Sequence, residues 1–346
     1  MAALHPALVE ARVLDALERN STGALATSGV PGLQVTVCIG DRPPRTFAAG
    51  AACLARGNPV TPRTRFRIAS LSKPVAALAL ARAGSSRLID LDAPVEPELS
   101  HVESLCANPW LRTLTLRQLL SHSSGIIDAH VPHVPEGTPR PSLLESLNGA
   151  LGVAARFERE PGEASVYSGL NYALAEYVCT VRLGRAFSEM VAQLVPGAEF
   201  GIAARSAPEV ASEHDPDGRV LPHQIPVAFA SSGQVASSEE LAVVMHDAMM
   251  HAVGDRTSND PVAGSAAQLF TLQPTVQKPK FSLGLHRLGR CEVEVWDHYG
   301  HRPGLRCALN IIPSARLTIV ALSNGERGTD VIDPILAMVR GICEHA

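Results

Sequence analysis

The stretch "LRCALNIIPSARLTIVALSN" (residues 305–324) decides the fold. It contains two short β-prone runs, "LRCALNIIP" and "RLTIVALSN", with a turn signal between them. Two further runs of this kind precede it, "FSLGLHRL" (281–288) and "CEVEVWDHYG" (291–300), and residues 328–345 then read as a closing helix. The same vocabulary returns near the start of the chain. "LQVTVCIG" (33–40) and "RTFAAG" (45–50) predict a hairpin, with Asp41 to Pro44 making the turn. Between the two ends, from about 90 to 225, the pattern is helical pieces separated by loops rich in proline and glycine, such as "HVPHVPEGTPRPS" (130–142). Residues 237–252 read as another helix, with Ser237 or Ser238 as cap and Glu239 and Glu240 in its first turn. Strands at both ends around a mainly helical middle predict an α+β fold. One antiparallel sheet is built from both termini and flanked by helices, and a helical region is inserted between. The expected division is a sheet domain of residues 1–89 and 226–346 with an inserted helical region, 90–225.

The composition suits this layout. A chain of 346 residues is long enough for one large domain or two ordinary ones, and its 46% hydrophobic content supplies a sizeable core. With 18% charged residues, a net charge of −4 and scattered arginines, there is neither the signature of disorder nor a footprint for nucleic acid. The seven cysteines (38, 53, 106, 179, 291, 307 and 343) are widely spaced with no C-x-x-C. They read as buried free thiols of a reducing compartment. "MAALHPALVEARVLDALERN" (1–20) carries Glu10, Arg12, Asp15, Glu18 and Arg19, which breaks a signal-peptide reading and suits an amphipathic surface helix. No run approaches eighteen uninterrupted apolar residues, so no membrane contact is expected. With Met1 as the natural start, the expected location is the cytoplasm.

The chemistry begins at "FRIASLSKP" (66–74). The chain has three lysines (73, 278 and 280) against twenty-seven arginines, and one of the three follows a serine by three positions. Residues i and i+3 share a helix face, so the Lys73 amine can reach the Ser70 hydroxyl. Pro74 fits a first helical turn, which puts Ser70 at or just before the N-terminus of a helix running to Gly84. A serine hydroxyl needs a proton acceptor before it attacks. Arginine cannot serve, whereas a desolvated lysine can. The bland alternative is a helix-capping serine beside a surface lysine.

Two further segments weigh against that alternative. "ASVYSGLNYALAEYV" (164–178) sets Tyr167 at the end of a loop before a helical pattern, and "WDHYGHRPGL" (296–305) ends a β-prone run on His298-Tyr299-Gly300. In this order the three segments resemble the penicillin-recognising serine hydrolases, a family carrying S-x-x-K, then Y-x-N, then K-T-G or H-x-G. The resemblance is to the branch related to class C β-lactamases, which includes D-Ala-D-Ala carboxypeptidases, serine esterases and acyltransferases. "LTLRQLLSHSSGI" (114–126) and "VAFASSGQVASSEELA" (227–242) are similar to two non-catalytic segments of that family, so the likeness runs from about 30 to 335.

The resemblance implies a β-lactamase/transpeptidase-like fold and a covalent acyl-enzyme on Ser70. Lys73 and Tyr167 would share proton transfer, and the backbone N–H groups of Ser70 and His301 would form the oxyanion hole. His298, Gly300, Gly169 and Asn171 would bind substrate. The chain departs from the family at Gly169, where asparagine is usual; Asn171 follows two residues later. The implied function is cleavage of an ester, thioester or amide of a small molecule; in relatives that hydrolyse peptides and β-lactams that asparagine helps hold the substrate amide, so the departure points toward esters or thioesters.

Two other functions stay open: an acyltransferase passing the acyl group to an amine or alcohol, and a penicillin-sensor-like protein without turnover. No cofactor is implied, the expected partner is a small acyl substrate, and the oligomeric state is unknown. His122, Asp128, His130 and His133 match no zinc spacing, and the resemblance accounts for Asp297, His298 and His301 better than a metal does. G-x-S-x-G and P-loop motifs are absent from the sequence.

Overall fold

The computed structural model of the chain describes residues 6–196, 209–254, 261–289 and 291–345. Its centre is a seven-stranded sheet. In chain order the strands are β1 (Gly32–Ile39), β2 (Arg45–Cys53), β3 (Asn58–Pro59), β4 (His286–Arg287), β5 (Trp296–Arg302), β6 (Leu305–Ile312) and β7 (Leu317–Ser323). They lie in the order β3-β2-β1-β7-β6-β5-β4. Neighbours are antiparallel throughout. The two ends of the chain meet where β1 pairs with β7, Leu33 opposite Ser323 and Ile39 opposite Leu317.

The longer described helices are α1 (Pro6–Ser28), α2 (Ser72–Ser85), α3 (Gly169–Leu183), α4 (Ser238–Val253) and α5 (Thr329–Glu344). Against one face of the sheet, Val9, Val13 and Leu17 of α1 and Val331, Ile335 and Val339 of α5 pack with Leu33, Val35, Val37 and Ile319. Against the other face lies a larger core that joins Leu309, Ile311 and Val320 of the sheet to α2, α3 and α4. Each leucine or valine so buried contributes about 1.5–3 kcal/mol relative to exposure. With both faces covered, β1 is buried at every position. Its polar residues on the α4 side are therefore paired: Gln34 Nε2 donates to the Thr61 and Thr64 carbonyls, and the Thr36 and Ser238 hydroxyls lie 2.7 Å apart.

No described residue between 90 and 225 adds a strand to this sheet; Val134–Pro135 and Gln224–Ile225 pair with each other. Leu99, Leu119, Leu147 and Val191 from that region lie in the same buried cluster as Leu309 and Val320, so one core runs through both. Ser237 is the cap of α4, in a capping box with Glu240.

The structure departs from the sequence expectations in four places. Of "FSLGLHRL" only His286–Arg287 is a strand, because Gly284 turns the chain with φ +83°. Residues 291–295 precede β5 rather than belonging to it. The helix expected from Ser70 begins as a 3₁₀ turn, Ala69–Leu71, and becomes α-helical at Ser72. The seven cysteines are free, but Cys106 is exposed and Cys291 half-buried. Among the described residues, no helix is long and apolar enough to cross a membrane.

Candidate active site

Ser70 sits where the short strand Phe66–Arg67 turns into α2. Ala69, just before it, adopts φ +44°, a left-handed conformation that costs a non-glycine residue energy unless its surroundings enforce it. The enforcement is visible. Ser72 Oγ donates to the Ala69 carbonyl (2.7 Å) and accepts from Gln234 N (3.2 Å), while Ile68 N donates to the Gln234 carbonyl (3.1 Å). Behind the turn, α2 is buried on all sides, and its alanines (76, 77, 79, 81 and 83) let neighbours approach closely.

Two side chains converge on Ser70 Oγ. Lys73 Nζ donates to it at 3.0 Å and Tyr167 Oη at 2.9 Å. Lys73 is fully buried, and its Nζ also donates to the Ser231 carbonyl at 2.8 Å and lies 5.2 Å from the centre of the Tyr167 ring. A lysine amine placed here can keep an N–H on the Ser231 carbonyl while offering a lone pair to the serine during the reaction. A guanidinium has no lone pair to offer.

Tyr167 is held from behind by His122. That ring packs against it at a tilt of 39° with centres 4.5 Å apart, and its Nδ1 accepts from Ser168 N (3.2 Å) and from Asn171 Nδ2 (3.1 Å). Burial first, then the Lys73 charge, holds the His122 pKa well below its ordinary value, so the ring is neutral with its proton on Nε2. The two segments read as non-catalytic thus touch the site: one supplies His122, the other the Ser231 carbonyl and the Gln234 backbone.

Strand β5 brings the third motif. His298 Nδ1 donates to the Gly284 carbonyl at 2.9 Å, and burial, with the Lys73 charge, pushes its pKa down to about 3. The imidazole is neutral and presents an Nε2 lone pair. Strand β4 pairs with β5 only at Trp296 and Asp297, so among the described residues the edge of β5 from His298 onward carries no further strand of the sheet. Ser70 and His301, whose backbone N–H groups are the expected oxyanion donors, line one cavity of about 790 Å³ together with Tyr167, His298, His130 and Phe281.

Three expected substrate-binding residues sit elsewhere. Asn171 is fully buried, with its amide used by His122 and by Ser124 Oγ (2.6 Å), so it does not reach the cavity. Gly300 is a packing residue. A Cβ there would press on Cys307 Sγ and lie 2.7 Å from the Ile68 carbonyl, so glycine is what lets β5 approach the nucleophile turn. Gly169 is buried beneath His130 and has no side chain to offer. Residues the sequence reading had not assigned to the site also line the cavity: His130, His286, Phe281 and Arg302. The signal for His130 lay only in the histidine-rich loop, with nothing to indicate its direction. Among the described residues, no group of three or more His, Cys, Asp or Glu side chains is disposed to hold a metal ion.

The beta-lactamase family model matches residues 14–339. Esterase EstB of Burkholderia gladioli is 37% identical over 79 residues, which are 23% of this chain and 20% of that protein. Matches of this kind span between about a fifth and a third of the length of the curated relatives. The solved structure of SurE superposes with a TM-score of 0.74 at 24% identity, over 97% of this chain and 76% of its own. The D-alanine carboxypeptidase AmpC of Burkholderia cenocepacia gives 0.72 at 17% identity, over 95% of this chain and 98% of its own. At these identities the two structures share the fold. From the family match over nearly the whole length, on a chain whose three motifs meet around one serine, it follows that this protein belongs to the beta-lactamase family.

Proposed function

We propose that the protein is a serine hydrolase that cleaves small, uncharged esters or thioesters through an acyl-enzyme on Ser70. The observation that carries this is the convergence of Lys73 Nζ and Tyr167 Oη on Ser70 Oγ, at 3.0 and 2.9 Å. As Ser70 Oγ attacks the carbonyl, its proton passes to the Lys73–Tyr167 pair. The oxyanion that forms is met by the N–H groups of Ser70 and His301, and Tyr167 returns the proton to the leaving alcohol or thiol. Water then attacks the acyl-enzyme by the same route in reverse, which frees Ser70 and the acid.

The substrate class follows from what the cavity offers. Val131, Pro132, Phe281 and Pro303 give it apolar walls. Neutral His298 offers no charge to a carboxylate such as a penicillin carries; Arg302 faces Glu213 at 3.9 Å, a carboxylate it shares with Arg67 at 4.0 Å. Gly169 brings no amide to the substrate. Likeness to a protein named as an esterase supports the same reading.

The test is kcat/KM on one preparation for short p-nitrophenyl esters, thioesters and benzylpenicillin. Turnover of the esters with slow acylation by penicillin is expected. A penicillin value well above the ester value would make the protein a β-lactamase and overturn the proposal.

A further inference from the structure

The carbonyl that holds Lys73 is itself held. Lys73 Nζ donates to the Ser231 carbonyl at 2.8 Å, and Ser231 lies in a single helical turn, Phe229–Ser232. The leading N–H groups of such a turn find no partner within it, and Ala228 at its N-cap has no side-chain oxygen to offer them. Glu176, the one acidic residue of α3, supplies the oxygen from outside. Its Oε2 accepts from Ala230 N at 2.7 Å, and Phe229 N also faces the carboxyl. About two helical turns earlier on α3, the Gly169 carbonyl accepts from Ser231 Oγ at 3.0 Å. The helix that follows Tyr167 thus grips the lysine-holding turn at two points, once by its backbone and once by Glu176.

Glu176 does not reach the substrate. It lines a separate cavity of about 380 Å³ with Leu144, Phe187, Val227 and Phe229, none of which lines the Ser70 cavity. Burial pushes its pKa up to about 8, although the two N–H groups and the Arg140 charge oppose the rise. At pH 7 the carboxyl therefore mostly keeps its proton, and the tie to Ala230 is a hydrogen bond to a neutral oxygen.

We propose that Glu176 is a positioning residue for the base of the site. By fixing the turn 229–232 to α3 it sets the Ser231 carbonyl, and through that carbonyl the direction in which the Lys73 amine meets Ser70. The proposal rests on the reading of Lys73 as the proton acceptor of Ser70 and deepens it.

The test compares Glu176→Gln, which keeps an acceptor, with Glu176→Met, which matches it in length and helix propensity and has only a weak thioether acceptor. Each is made alone and together with Lys73→Arg, and kcat and KM are read on the preferred p-nitrophenyl ester at pH 7 beside a thermal melt. Glu176→Met should lower kcat about 10- to 100-fold, the scale of a misplacement under about 1 Å. KM should hold, because the same base serves acylation and deacylation. Glu176→Ala, which opens the space instead of filling it, should lose kcat in the same way should the methionine variant not fold. Glu176→Gln should stay within about threefold of the wild-type protein, the low end of one neutral hydrogen bond. In the Lys73→Arg protein, Glu176→Met should cost little more, since no lone pair is left to direct. A folded Glu176→Met or Glu176→Ala with wild-type kcat and only a lower melting temperature overturns the proposal. So does a Glu176→Gln as slow as Glu176→Met, or an equal loss with and without Lys73→Arg. Near-normal turnover by Lys73→Arg alone brings down the reading of Lys73 first, and this inference with it.

Discussion

Replacing Lys73 by arginine keeps a cation and removes the proton acceptor. Lys73 is fully buried, and its Nζ is fixed by the Ser231 carbonyl at 2.8 Å and Ser70 Oγ at 3.0 Å. An arginine at this site can still donate to both oxygens, so charge and hydrogen bonding survive in kind. What is lost is general-base assistance, worth about two to four orders of magnitude. That corresponds to about 2.7–5.4 kcal/mol of transition-state stabilisation at 1.36 kcal/mol per tenfold. The assay is kcat/KM on the preferred p-nitrophenyl ester, read beside a thermal melt so that loss of fold is not mistaken for loss of catalysis. A folded Lys73→Arg protein with near-normal rates would refute the reasoning and reduce Lys73 to an electrostatic or structural cation.

Tyr167→Phe keeps the ring that packs against His122 and deletes the oxygen 2.9 Å from Ser70 Oγ. kcat should fall about 10²- to 10⁴-fold with little change in melting temperature; a fall under about threefold speaks against a role in proton transfer. Gly300→Ala should both destabilise the fold and slow ester turnover, because the methyl meets Cys307 Sγ and the Ile68 carbonyl. Overpacking of this kind costs about 1–3 kcal/mol, read by urea unfolding, and an unperturbed variant would contradict the close approach of β5 to the nucleophile turn. His298 makes stability depend on pH. Its folded pKa, about 3, lies below its ordinary value of 6.5, so between these limits the unfolded chain takes up a proton that the folded site refuses. Stability therefore falls as pH drops through this window and is flat above it, with a slope near 1.4 kcal/mol per pH unit from this residue. Between pH 7 and 5, His298→Gln should lose roughly 2 kcal/mol less stability than the wild-type protein; equal losses would show that His298 is not buried neutral.

The parts of the site legible in the sequence were those carried by spacing. Ser70 and Lys73 share one turn, and Tyr167 and His298 fall at the ends of recognisable segments. The sheet was legible because β1, β6 and β7 are apolar runs bounded by turn residues, although pairing between 33 and 323 could be inferred only from their positions at opposite ends of the chain. The rest was set by tertiary packing. Asn171 looked like a stand-in for a missing asparagine, yet two residues along a helix is a rotation of about 200°, which aims it at His122 and Ser124 instead. Gly300 carried a family signature, but its use is the clearance it leaves for Ile68 and Cys307, which lie far away in sequence. His130 meets Gly169 across thirty-nine positions of sequence. "FSLGLHRL" had the composition of a strand, and Gly284 at φ +83° bent it to place a carbonyl on His298.

Labelling by a serine-directed phosphonate, followed by intact mass and peptide mapping, tests the central claim most directly. One adduct per chain should form on Ser70, and Ser70→Ala should lose both the adduct and ester turnover while keeping its melting temperature. Labelling or turnover that persists in Ser70→Ala would contradict the claim that Ser70 is the nucleophile.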